Sequence, residues 1–143
     1  MLTDEQLRRI LSQARTIAVV GLSDKPDRES YGVAKYLQSQ GYRIIPVNPN
    51  VAEILGEPSY PSLLAVPPAT QIDIVDVFRR SDQVGPVVDE ALVRGVGAIW
   101  MQVGVENAAA AAAAEGRQVP VVQNTCIRTT HRVLGIPPVG GQP

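Results

Sequence analysis

The stretch AVVGLSDKPDRESYGVAKYL, Ala18 to Leu37, decides the fold. An apolar run ends at Gly21, a polar loop follows, and an apolar-faced helical pattern runs from Tyr31 to Gln40 and stops at Gly41. Strand, loop and helix in that order open a βαβ unit, and such units take ligands at that loop. Gly21 supplies the unusual dihedrals of a tight strand exit. Ser30 is placed to cap the helix, and the amides of the first turn suit a phosphate. Gly32, in the same turn, has no Cβ to keep a pyrophosphate from the backbone. The same residues also read as a capped surface helix with a turn glycine, and both readings stand at this point.

The rest of the chain repeats the alternation. LTDEQLRRILSQA, from Leu2, is an amphipathic helix in which Thr3 and Gln6 have capping-box spacing and Leu2 and Leu7 that of a hydrophobic staple. TIAVV is a first strand and YRIIPV a second, whose Pro46 argues for its end or an unpaired side. NPNVAEILGEPSYPSLLAVPP is turn-rich, with a brief third strand at Ser59-Tyr60. IDIVDVF is a strong fourth strand, and Val84, Val87, Val88, Ala91 and Leu92 then recur at helical spacing. GAIWMQ is a fifth strand, the alanines from Ala108 to Ala114 a plain helix, VPVV a sixth strand, and Thr125 to Leu134 a final helix. The expectation is an α/β fold, a Rossmann-like, three-layer, doubly wound parallel sheet with strand order 3-2-1-4-5-6. Residues 1–136 form one domain, and 137–143 read as a flexible tail. The switch point falls between the first strand and IDIVDVF, so GLSDKPDRESYG and FRRS converge on one crevice.

Bulk properties narrow the function. A length of 143 residues with 45% hydrophobic and 19% charged residues fits one soluble globular domain. The net charge of -1 argues against extended nucleic acid or an anionic membrane surface as partner. A single cysteine, Cys126, excludes an intrachain disulfide framework and suits a reducing compartment. With no apolar run of membrane-spanning length and no signal-peptide pattern in MLTDEQLRR, a cytoplasmic location is expected.

Absences narrow the ligand. Gly21 is followed by Ser23 where a dinucleotide fingerprint carries a second glycine, and the second strand ends in Val47-Asn48-Pro49 instead of an acidic ribose ligand. No G-K-[ST] occurs, so a Walker loop is missing. Yet Lys25, Arg28, Arg79 and Arg80 bring more cations to the crevice than one pyrophosphate requires, and a nucleotide with an additional phosphate would use them.

VVGLSDKPDRESYGVAKYLQSQGYRIIPVNPN, EILGEPSYPSL, IDIVDVFRRSDQV, IWMQVGV and CIRTTHR together resemble the small stand-alone CoA-binding proteins of bacteria, whose fold is similar to the CoA-binding domain of the succinyl-CoA synthetase α subunit. The resemblance runs from about Leu7 to Leu134. It implies a Rossmann-type domain that holds coenzyme A through the first βα loop, the VNP turn and the ends of the VFRR and MQ strands. Carried over to this chain, the implied contacts are Gly21, Ser23, Arg28, Ser30, Tyr31, Asn48, Pro49, Phe78, Arg79 and Gln102. The phosphorylated histidine of synthetase subunits belongs to a further domain, so ligase activity is not implied.

Plainer roles stand beside these. Arg79-Arg80 also reads as a solvated strand end, Asn48 as the start of an Asx turn, Phe78 as core, and Gln102 as a loop hydrogen-bonder. Cys126 and His131, five residues apart, lie roughly 140° out of phase on a helix and lack an orienting third group; a core cysteine and a surface or capping histidine are the simpler reading. Asp73 and Asp76 have odd spacing on one strand, so they take opposite faces and share no proton; either is able to cap a helix or meet Arg79. The leading reading is therefore a binder of coenzyme A or an acyl-CoA without evident catalysis. Its alternatives are an NAD(P)-dependent oxidoreductase with a non-standard phosphate loop and a regulatory partner of an acyl-CoA enzyme.

Overall fold

The computed structural model describes residues 1–140. Helix α1, Asp4–Gln13, begins with both halves of the expected capping box: the Gln6 amide donates to Thr3 Oγ1 at 3.2 Å and the Thr3 amide to Gln6 Oε1 at 2.8 Å. There follow β1 (Thr16–Val20), α2 (Glu29–Ser39), β2 (Arg43–Val47), a short antiparallel pair β3 (Glu53–Ile54) and β4 (Glu57–Pro58), and β5 (Ile74–Val77). The chain then runs through α3 (Val84–Arg94), β6 (Ala98–Met101), α4 (Ala108–Glu115), β7 (Val121–Val122) and α5 (Ile127–Val133).

The five long-range strands form a parallel sheet in the order β2-β1-β5-β6-β7. The place expected for a third strand is reduced to one parallel bridge, Val47 with Tyr60, in which the Tyr60 amide donates to the Pro46 carbonyl at 3.0 Å and the Asn48 amide to the Tyr60 carbonyl at 2.9 Å. Prolines flanking this segment on both sides, Pro58 and Pro61, lack the amides that would extend the ladder. The hairpin of β3 and β4, within the turn-rich stretch, carries too little alternation to be foreseen.

Side chains alternate across this sheet. Ile17, Val19, Ile74 and Trp100 pack with Leu11 of α1, Val33 and Leu37 of α2, and Ile127 of α5. Ala18, Val20, Val75 and Ile99 pack with Val88 of α3 and with Ala110, Ala111 and Ala114 of α4. The alanines form a helix, as read from the sequence, and Ala110, Ala111 and Ala114 pack it against the sheet.

The chain end departs from expectation. Val139 is buried, and its amide donates to the Gln40 carbonyl at 2.8 Å. A Cβ on Gly41, which has φ +98°, would collide with the Val139 carbonyl oxygen. The flexible tail read from Pro137 therefore does not hold at Val139, because one apolar side chain finds a place beside α2; the remainder, 141–143, lies outside the described residues.

Candidate functional site

Three strand exits are laced together at the predicted switch point. The Gly21 amide donates to the Val47 carbonyl at 3.0 Å, and the Phe78 amide to the Val20 carbonyl at 2.8 Å. Gly21 has φ +85°, and a Cβ there would collide with the Phe78 carbonyl oxygen, so glycine is required for β1 and β5 to leave the sheet this close together. Asn48 adds a third tie: its Nδ2 donates to the Leu22 carbonyl at 2.9 Å while its Oδ1 accepts from the Asn50 amide at 2.8 Å, an Asx turn. Pro49 is exposed beside it.

Helix α2 starts two residues earlier than its sequence suggests, at Glu29 instead of Tyr31. Arg28 is the N-cap and makes no side-chain cap bond. Ser30, read as the cap, lies instead in the first turn; its buried Oγ accepts from the Ser23 amide at 3.0 Å. Ser23 Oγ in turn accepts from the Lys25 amide at 3.1 Å. The two serines fold the loop back on its own helix, which satisfies the loop and leaves the helix end uncapped. The amides of Glu29, Ser30 and Tyr31 have no hydrogen-bond partner among the described residues. Three free N–H groups at the positive end of an 11-residue helix make a place for an anion.

A cation that the sequence reading passed over faces this end. Arg128, in the first turn of α5, pairs with Glu29 at 3.2 Å, and its Nη1 would lie 3.4 Å from a Cβ placed on Gly32. The bare α-carbon of Gly32 thus makes room for a guanidinium as well as for a ligand. Arg128 stands in the quoted CIRTTHR; the signal that would have found it is topological, since the turn after β7 opens on the same edge of the sheet as the turn after β1.

The other predicted residues divide. Tyr31 and Phe78, both half-buried, pack against the layer formed by α1, α2 and α5. Arg79 lines a recess on the opposite layer together with Val20, Val47, Leu63, Val87 and Glu90. Arg80 is spent on Asp82 at 3.3 Å, an exposed pair. Arg28 and Lys25 are exposed on the loop. Gln102 is buried, and its Oε1 accepts from the Ile127 amide at 3.1 Å, capping α5.

The cysteine and histidine exchange the places expected of them. His131 is buried, its Nδ1 is 2.7 Å from the Tyr36 hydroxyl, its Nε2 has no partner, and burial holds its pKa below the ordinary value. Cys126 is the half-exposed N-cap residue of α5. Burial pushes its thiol up, but hydrogen bonds from the Thr129 side chain and from the backbone amides of Thr129 and Arg128, with a further one from Gln102, outweigh it and lower the pKa. Asp73 accepts from the Arg15 and Thr16 amides at 2.9 and 3.0 Å. Asp76 is fully buried, neither carboxylate oxygen has a partner, and burial followed by the nearby Cys126 raises its pKa well above the ordinary carboxylate range. Among the described residues no group of three or more His, Cys, Asp or Glu is placed to hold a metal ion, and no helix is long and apolar enough to cross a membrane.

With this geometry established, comparison with known proteins gives a consistent answer. The family model for the CoA binding domain matches residues 15–132. The chain belongs to that family. As a CoA-binding-family protein it is 41% identical over 128 residues to the uncharacterized protein YneT of Bacillus subtilis, covering 90% of this chain and 93% of that one. A hypothetical protein from Pyrococcus horikoshii superposes with a TM-score of 0.89 at 38% identity, covering 93% and 92% of the two chains. The dinucleotide-forming acetyl-coenzyme A synthetase 1 of Ca. Korarchaeum cryptofilum, solved with phosphate and ADP, superposes with a TM-score of 0.68 at 25% identity. That match takes in 82% of this chain and 27% of the synthetase. The family fold therefore occurs both as a protein of this size and as a portion of a larger enzyme.

Proposed function

We propose that this protein binds coenzyme A, or an acyl-CoA, across the carboxyl ends of β1 and β5, as a binding module without chemistry of its own on the nucleotide. The observation that carries the reading is the uncapped start of α2: three free amides, the bare Gly32 and the Arg128 guanidinium face one space. A pyrophosphate fits that donor set, because amides supply directed hydrogen bonds and arginine supplies a charge-assisted pair. Arg28 and Lys25 on the loop, and Arg79 at the mouth of its recess, remain for the ribose phosphate. Gly21, Ser23, Ser30 and Asn48 hold the loop in shape, and Gln102 holds α5, so their contribution to binding runs through the backbone they fix. The reading is tested by scanning fluorimetry: CoA raises the melting temperature with concentration, as selective binding to the native state requires, and NAD does so much less. Equal or greater stabilisation by NAD overturns the choice of ligand.

A further inference from the structure

Glu29 and Arg128 meet at the start of α2, inside the place proposed for the pyrophosphate. A single bond joins them, from Arg128 Nη2 to Glu29 Oε2 at 3.2 Å, longer than the roughly 2.7–2.9 Å of a tight charge-assisted bond. The two side chains are unequally committed. That of Glu29 is 67% exposed and that of Arg128 only 26%. Releasing the carboxylate to water therefore costs little, whereas the guanidinium is held beside α2, with Nη1 3.4 Å from the position a Gly32 Cβ would take. Glu29 is also the first residue of α2 and the acidic residue of its first turn, so its charge sits at the positive end of the helix dipole. The helix start thus has a counter-charge but no cap: Arg28 makes no side-chain bond, and the amides of Glu29, Ser30 and Tyr31 stay free.

We propose that Glu29 is a built-in competitor for the anion place: its carboxylate holds Arg128 until a ligand's pyrophosphate takes the guanidinium from it. This rests on the CoA reading above. The exchange is non-covalent. Arg128 trades one carboxylate oxygen for phosphate oxygens, Glu29 turns to solvent, and the free amides gain the hydrogen bonds they lack. Two costs accompany it: the Arg128–Glu29 pair is lost, and the Glu29 charge then lies close to a ligand of its own sign. Both lower the affinity below what the amides and Arg128 would give alone. A neutral side chain of the same shape at position 29 removes both.

The test is calorimetry of the whole protein with CoA under reductant. Glu29→Gln, at an exposed position, binds CoA about three- to tenfold more tightly than the wild type, the scale of an exposed ion pair and a like-charge repulsion together. Weaker binding by the variant makes Glu29 a support that aims Arg128 and overturns the proposal. Asp27→Asn removes the same charge two residues earlier, from an exposed carboxylate outside the ion pair. Equal tightening by the two variants reduces the effect to overall charge and overturns the exchange. In an Arg128→Ala background, where no pair is left to break, the gain from Glu29→Gln shrinks by about twofold. An undiminished gain there leaves repulsion alone and likewise overturns the exchange. Wild-type binding with no gain in Glu29→Gln overturns this proposal only. Absence of CoA binding in both proteins overturns the CoA reading and this proposal with it.

Discussion

Asp76 is the residue at which local physics and global fold disagree most. A carboxyl in the middle of a central strand, flanked by Val19 and Trp100, is held well above the ordinary carboxyl value of 3.8 by burial and then by Cys126. The folded state therefore binds the proton more tightly than the unfolded chain. The stability this gives is fully present below the unfolded pKa and is lost as pH rises above it toward the raised folded value. Asp76→Asn, which cannot ionise, is expected to melt above the wild type at neutral pH. The gap narrows toward about pH 4, where both side chains are neutral. A gap that does not change with pH, in thermal melts across that range, refutes the account. The sequence placed Asp76 on a strand, able to cap a helix or meet Arg79, but not partnerless, because that depends on what the helices above the strand present to it.

At the scale of elements, the contact between α2 and α5 supplies both the cation and a pH response. Arg128 reaches the start of α2 only because α5 packs beside it, so its role is invisible along the chain. Replacing Arg128 with alanine is expected to weaken CoA binding by roughly ten- to a hundredfold, the worth of one charge-assisted hydrogen bond. Dephospho-CoA should lose as much, since the contact proposed is to the pyrophosphate; calorimetry with both ligands checks this, and a loss confined to CoA would move Arg128 to the ribose phosphate. Deeper in the same contact, His131 is buried against Tyr36 and Tyr42 with its pKa lowered by burial. A histidine depressed in the fold gives stability that is whole above the unfolded value of 6.5 and is lost as pH falls below it. His131→Gln should therefore flatten the fall in melting temperature between pH 7 and about 5.5, whatever its constant offset. An unchanged slope would show that His131 stays uncharged there.

For the molecule as a whole, closure extends past the last helix. Ending the chain after Ile136 removes a buried valine and its backbone bond to Gln40, and is expected to cost about 1.5–3 kcal/mol, the worth of burying one such side chain. Urea midpoints measure it, and an unchanged midpoint would mean that Val139 contributes nothing in solution. By itself the sequence determined the alternation of apolar runs and helical patterns, the parallel sheet and its switch point, the capping box of α1 and the resemblance to CoA-binding proteins. Each of these is written in near neighbours or in periodicity, which act before the chain has folded. Tertiary structure decided the rest: that Ser30 serves the loop while the helix amides stay free, that Asn48 and Gln102 are tethers, that Arg128 meets Glu29 at the start of α2, and that Asp76 is buried without a partner. Those facts join residues far apart in the chain, and hydrogen bonds and charge interactions depend on distance in space, which packing alone sets.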